Sequence, residues 1–171
     1  LTLARADNGV RPAAMEPVNL SDVATDCALA FEPVAFEAGK PLEDHIADEV
    51  AVTGDADRLR RLVSILLDNA VKYGAEGGAI SLTLEKTERQ ARLTVANPGE
   101  PIPPEHLAHL FERFYRADSS RGEKCGFGLG LSIAQSLTEL QGGKMELLVD
   151  GDLFKVVLSF PLSETQPLTP G

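Results

Sequence analysis

"LLDNAVKYG", residues 66–74, ends an apolar helical run with an Asn, a Lys and a Tyr where a plain core helix would carry alanine and leucine. On a wheel at about 100° per residue, the helix from 55 to 73 gathers Leu59, Leu62, Val63, Leu66 and Ala70 into one stripe that must face a sheet. Arg60, Arg61, Ser64 and Asp68 fall on the far side, in water. Asn69, Lys72, Tyr73 and Ile65 share one flank, at the seam between core and solvent, where a ligand pocket can form. An Asn inside a helix costs roughly a few tenths of a kcal/mol against Ala, so it needs either an exposed, neutral setting or a compensating role. Its side-chain oxygen is a hard, neutral ligand suited to Mg²⁺, which usually arrives with phosphates. Lys72 is placed to meet a phosphate as a point charge. The residues alone leave a plainer reading open, with Asn69 a seam residue and Lys72 a solvated charge.

Upstream, "LTLARAD" reads as the tail of a helix that began earlier, stopped by Asn8-Gly9 and Pro12, so the chain looks cut from something longer. Ser21 or Asp22 can cap a helix through about Phe36, with Val23, Cys27, Ala30 and Val34 at helical spacing. "PLEDHIADEVAVTGD" suggests two short strands or an extended edge, with His45 a strand residue, before Asp55 or Asp57 caps the central helix. Downstream, "AISLTLEKT" and "ARLTVAN" alternate as a hairpin about the turn "ERQ". About thirty residues with at most one short helix follow, too long for an ordinary connector and typical of a lid. A helix from about Gly128 to Gln141 carries Leu131, Ile133, Ala134, Leu137 and Leu140, and a hairpin around Gly151 finishes the sheet. The order of elements predicts an α+β fold, a two-layer α/β sandwich with about three helices on one face of a mixed, mostly antiparallel sheet. The expected divisions are 1–12 as the tail of a preceding region, 13–162 as one domain, and 163–171 as a frayed, Pro-rich end.

The chain has 171 residues, 43% of them hydrophobic, which suits one compact domain. Its net charge of −10 repels polyanions, so nucleic acid and anionic membrane are not expected partners. No apolar run approaches the roughly 20 residues of a membrane span, and the N-terminus lacks the pattern of a signal peptide. The two cysteines, Cys27 and Cys125, have no metal-ligand spacing around them and fit a reducing cytosol, with Cys27 in an apolar stripe as core.

Three further stretches carry chemistry. "GFGLGL", residues 126–131, opens the last helix. Its glycines and free N–H groups suit a bound phosphate, or equally a tight turn with close helix packing. "VANPGEPIPPEHL" ends a strand at Asn97, where one polar group can be presented to a base edge. "LFERFYRADSSR" places Arg113, Arg116, Arg121 and Lys124 together in an otherwise acidic chain, a local reversal that an anionic ligand requires; the alternative is a solvated loop whose Phe111, Phe114 and Tyr115 tuck onto the core.

In order and spacing, "LLDNAVKYG", "NPGEPIP", "LFERFYRAD" and "GFGLGLSIAQSLTELQGGKMEL" resemble the N box, first glycine box, F box and second glycine box of the ATP-binding domain of bacterial sensor histidine kinases, over about residues 15–161. The resemblance implies a Bergerat-type sandwich holding Mg²⁺-ATP between the N-box helix and a long lid. It implies that Asn69 holds Mg²⁺, Lys72 touches phosphate and Tyr73 lines the nucleotide site. Asn97 would face the adenine, and Gly99 and Ile102 would belong to the nucleotide site. Gly126, Gly128, Leu129 and Gly130 would approach the phosphates through their backbone. Arg116 would reach the γ-phosphate, with Phe111 and Phe114 anchoring the lid. It further implies γ-phosphoryl transfer to a histidine on a separate dimerisation domain, resembled at its end by "LTLARAD". A response regulator would act downstream, and this part of the protein would be cytoplasmic in a parent anchored in the membrane.

Three features depart from the family pattern. Asn97 stands where the family has an Asp that accepts from the adenine amino group, a weaker acceptor by about 1 kcal/mol. In that same turn Pro101 sits where Gly is common. Ile65 stands four residues before Asn69, where the family often carries another Asn and the related gyrase- and Hsp90-type ATPases a water-activating Glu; it cannot act as a base, which argues against a hydrolase. His45, His106 and His109 are the only histidines, so the acceptor histidine is absent. His106 and His109 have a spacing that can bind metal but read as a solvated face, and Cys125 beside Lys124 is a candidate reactive thiol. The other reading is a degenerate module that senses nucleotide or binds protein without turnover.

Overall fold

In a computed structural model the chain is described at residues 15–75, 77–99 and 126–163, with 126–129 described only as helix. The order is β1 (Glu16–Asn19), α1 (Leu20–Glu37), β2 (Leu42–Ile46), β3 (Ala51–Gly54), α2 (Ala56–Tyr73), β4 (Ile80–Lys86), β5 (Gln90–Pro98), α3 (Gly126–Leu140), β6 (Lys144–Asp150) and β7 (Leu153–Pro161). A five-stranded sheet runs β2-β4-β5-β7-β6, and β1 pairs with β3 in a separate two-stranded sheet. Only the β2–β4 pairing is parallel among these; the others are antiparallel. This is the expected α/β sandwich.

Alternation sets which sheet face is covered. Ile80, Leu82 and Leu84 of β4, Leu93 and Val95 of β5, and Val156, Leu158 and Phe160 of β7 are buried beneath the helices, each worth about 1.5–3 kcal/mol of burial. On the other face Glu85, Gln90 and Arg92 are exposed. The stripe of α2 packs as its periodicity predicts: Leu59, Leu62, Val63, Leu66 and Ala70 are all buried, and Leu67 joins them. Asp55 caps that helix, its side chain accepting from the N–H groups of Asp57 and Arg58.

Several local expectations are corrected. Asn19, not Ser21 or Asp22, caps α1 by accepting from the Asp22 N–H at 3.0 Å. Ser21 turns inward, donating to Ala47 O and accepting from the Val50 N–H, and so holds the loop between β2 and β3. The buried row of α1 is Leu20, Ala24, Cys27, Ala28 and Ala35, with Val23 beside it; Ala30 and Val34 face solvent. On α3 the buried face continues from Leu137 through Thr138 to Gln141, while Leu140 is exposed. Ser64 leaves the solvent face of α2 and meets Cys27 of α1.

That meeting fixes the state of the thiol. Cys27 Sγ donates to Arg60 O at 3.6 Å and lies 3.7 Å from Ser64 Oγ, and burial pushes its pKa above the ordinary thiol value. The stability this contributes is full below the ordinary thiol pKa and is lost as pH rises through the raised native value. At mildly alkaline pH, Cys27 is expected to resist alkylation in the native protein and react fully in denaturant, as read by peptide mass mapping. Native labelling as fast as in the denatured chain would contradict its burial.

Candidate functional site

The seam flank of α2 meets the first turns of α3. A Cβ on Gly130 would stand 3.1 Å from both Nδ2 and Oδ1 of Asn69, so the bare glycine backbone lies directly against that carboxamide. Asn69 Nδ2 is buried and has no hydrogen-bond partner among the described residues. Leaving such a group unsatisfied costs about 1–3 kcal/mol, and a native fold tolerates that where a ligand or water supplies the missing partner. With no hydrogen bond from Nδ2 to any described residue, the carboxamide can turn to present its oxygen.

A carboxamide oxygen fits an oxygen-preferring cation such as Mg²⁺. Among the described residues no group of three or more His, Cys, Asp or Glu side chains gathers to hold a metal. A cation here therefore fits best when most of its ligands come from phosphate and water, the usual habit of Mg²⁺.

One turn further along α2, the helix end is sewn to the end of β5. The Gly74 N–H still bonds Ala70 O at 2.9 Å, but the next N–H, of Ala75, leaves the helix for Pro98 O at 2.8 Å. Asn97 projects from the helix-covered side of β5, is 8% exposed, and donates from Nδ2 to Pro98 O at 3.1 Å. A Cβ on Gly74 would fall 2.6 Å from Ala70 O and 3.3 Å from Asn97 Nδ2, and one on Gly99 would meet Asn97 Nδ2 at 3.7 Å and Tyr73 O at 3.8 Å. Tyr73, Gly74, Asn97 and Gly99 thus form one cluster beside Asn69. Because the bond to Pro98 O uses Nδ2, it fixes which way the Asn97 amide faces.

Lys72 follows on the exposed side of α2. Its ammonium is exposed and pairs with Asp68 at 2.9 Å, and the hydrogen bond to Asp68 and that carboxylate's charge push its pKa above the ordinary lysine value. A surface pair of this kind is worth at most about 1 kcal/mol, so the side chain is free to exchange Asp68 for a stronger anion. Ile65 is half-buried against the core and offers no acid to activate water. Gly126, Gly128 and Leu129 lie in the first turn of α3. Ile102, Phe111, Phe114, Arg113, Arg116, Arg121, Lys124, Cys125, His106 and His109 lie outside the described residues, as does the expected lid.

Sequence patterning missed Gln141. It is 2% exposed; its Oε1 accepts from the Asp55 N–H at 2.8 Å and its Nε2 donates to Leu137 O at 3.0 Å. The C-terminal end of α3 is thereby tied to the start of α2, and Gly54 leaves room for it, since a Cβ there would stand 2.9 Å from Gln141 Oε1. The signal was a polar residue continuing the i, i+3, i+4 face of Leu137 where Leu140 drew attention instead.

These elements and their order define an ATPase-type sandwich, and comparison with known proteins agrees. Residues 54–164 match the family described as histidine kinase-, DNA gyrase B- and HSP90-like ATPase, and the chain belongs to that family. The sensor protein DltS of Streptococcus agalactiae serotype V is 33% identical over 162 residues, 95% of this chain and 41% of DltS. The sensor histidine kinase CusS of Escherichia coli O6:H1 is 38% identical over 161 residues, 92% of this chain and 33% of CusS. The chain therefore spans well under half the length of these relatives. Full-length ShkA, solved in complex with AMPPNP, superposes with a TM-score of 0.77 at 25% identity, covering 96% of this chain and 35% of ShkA. No described helix is long and apolar enough to cross a membrane.

Proposed function

We propose that this domain binds Mg²⁺-ATP between α2 and the start of α3 and transfers its γ-phosphoryl group to a histidine on a separate dimerisation domain, from which a response regulator is phosphorylated. The observation that carries this reading is Asn69 Nδ2, buried and without a partner among the described residues, in a carboxamide set against the bare backbone of Gly130. Asn69 would hold the cation, and Mg²⁺ would neutralise charge on the phosphate oxygens. The free N–H groups that open α3, at Gly126 and Gly128, would favour an anion as helix N-termini do, with the backbone of Leu129 and Gly130 lining its approach. Tyr73, Asn97 and Gly99 would form the base end, and Ile102 would add to the nucleotide site. Lys72 and Arg116 would balance the transferring phosphoryl group, and Phe111 would anchor the lid. Positioning and charge stabilisation dominate such chemistry, and the apolar Ile65 favours a protein acceptor over water. That ShkA was solved with a bound ATP analogue supports the choice of ligand.

The test is calorimetric titration of the domain with ATP, with and without Mg²⁺. Micromolar, Mg²⁺-dependent binding is expected. Millimolar or absent binding would favour a degenerate module without turnover, a reading that one observation supports: Asn97 stands at the base end as a neutral acceptor whose amide donates to Pro98 O.

The same observation yields a prediction. In Asn97→Asp the charged acceptor is expected to raise ATP affinity about fivefold, the equivalent of about 1 kcal/mol. The empty domain should lose about 1–3 kcal/mol, because a buried carboxylate replaces a donor facing Pro98 O. Calorimetry and thermal melts measure the two effects. Unchanged affinity would show that position 97 does not read the base.

A further inference from the structure

The end of α2 has a lock outside the ATP-binding boxes. Because Ala75 N–H bonds Pro98 O, it cannot close the last turn on Val71 O, whose carbonyl is left at the negative end of the helix dipole. Lys40 supplies the donor. It is 7% exposed, and its ammonium donates to Val71 O from across the core. Its own backbone is held at both sides: the Lys40 N–H bonds Ala35 O at 2.9 Å, Gly39 O accepts from the Gly77 N–H at 3.0 Å, and Pro41 O accepts from the Ile80 N–H at 2.8 Å. Gly39 takes φ +75° to make the turn, a conformation that suits glycine. A buried lysine is costly to keep unless its charge is satisfied, and here it meets a helix C-terminus two residues beyond Asn69 and two before Tyr73.

We infer that Lys40 is a positioning residue for the nucleotide site: its buried ammonium fixes the last turn of α2, and through it the placing of Asn69, Tyr73 and the Asn97 turn. This inference rests on the reading of that cluster as a nucleotide site. Lys40 touches neither phosphate nor base in this role, and its effect reaches the ligand through the Val71 carbonyl. Lys40→Met keeps the apolar stem but removes the charge and the donor, so the last turn should fray while the rest of the core stays packed. Lys40→Arg keeps the charge and should restore much of the effect.

The experiment pairs calorimetric titration of Mg²⁺-ATP with amide hydrogen exchange on the wild type, Lys40→Met, Lys40→Arg and, as a control, Ser21→Ala, which removes buried hydrogen bonds far from the site. Lys40→Met is expected to bind about tenfold more weakly, with faster exchange confined to residues 70–75 and 97–99. Lys40→Arg should recover most of that loss, and Ser21→Ala should lose stability but no affinity. If Lys40→Met does not fold, Lys40→Gln, a shorter and uncharged donor, is expected to lose about threefold. Wild-type affinity in the folded Met or Gln variant, or an equal loss in Ser21→Ala, would overturn the inference. A wild-type domain that binds no Mg²⁺-ATP would overturn the nucleotide reading and the positioning role together, while the exchange data would still show whether the lock exists.

Discussion

Asn69→Ala is expected to lower Mg²⁺-ATP affinity by about a hundredfold, the equivalent of about 2.7 kcal/mol, and to leave the domain folded. In the proposed site the carboxamide is the oxygen ligand that α2 would offer beside Gly130, and alanine offers none. The folding side of the change runs the other way. Alanine is the better helix former by roughly half a kcal/mol, and removing the carboxamide removes the buried Nδ2 that has no partner among the described residues. A small cavity offsets part of that gain, so thermal stability should stay within about 1 kcal/mol of the wild type. Loss of binding at undiminished stability separates a ligand-holding Asn from a seam residue, for which affinity would be unchanged. Calorimetry and a thermal melt on the same sample decide it.

Gly130→Ala is expected to weaken binding as well, again with opposed signs. In a helix interior, Gly→Ala gains about 1 kcal/mol. The new Cβ, however, would lie 3.1 Å from both polar atoms of Asn69, so the carboxamide has to move by a few tenths of an ångström from its place beneath the helix. The expected outcome is a domain at least as stable as the wild type that binds Mg²⁺-ATP about tenfold more weakly. Equal affinity would mean that the contact between α2 and α3 is only packing. Reduced stability together with reduced affinity would point to a general clash.

Much of this site was legible in the sequence because α2 has one apolar stripe and one polar flank. Leu59 through Ala70 could face only the sheet, so Asn69 had to fall at the seam. The helix α1 was harder because it is apolar on more than one side. Leu29, Val34 and Phe36 are 64%, 49% and 75% exposed, and a row chosen through Val34 satisfied the period as well as the true row through Ala28 and Ala35. The strand β1 is four residues long and pairs with Ala51–Gly54, a contact distant in sequence that local patterning does not carry. Ser21 and Asn19 are both good caps, and only the loop at Ala47 and Val50 decides between them. The buried roles of Lys40 and Gln141 were hidden for a related reason: each meets a backbone group, Val71 O and Asp55 N–H, whose position is set only once the helices have been placed.

The idea that Asn69 and Gly130 share one nucleotide can be tested without mutation by titrating the domain with Mn²⁺-ATP and following backbone amide resonances. Mn²⁺ accepts the same oxygen ligands as Mg²⁺, and its unpaired electrons broaden nearby signals with a steep fall-off in distance. The amides of Asn69, Tyr73 and Gly130 should broaden first and together, with Asn97 and Gly99 following and the β6 edge, residues 144–150, unaffected. Broadening centred away from α2 and the start of α3, or none at saturating Mn²⁺-ATP, would contradict the shared site.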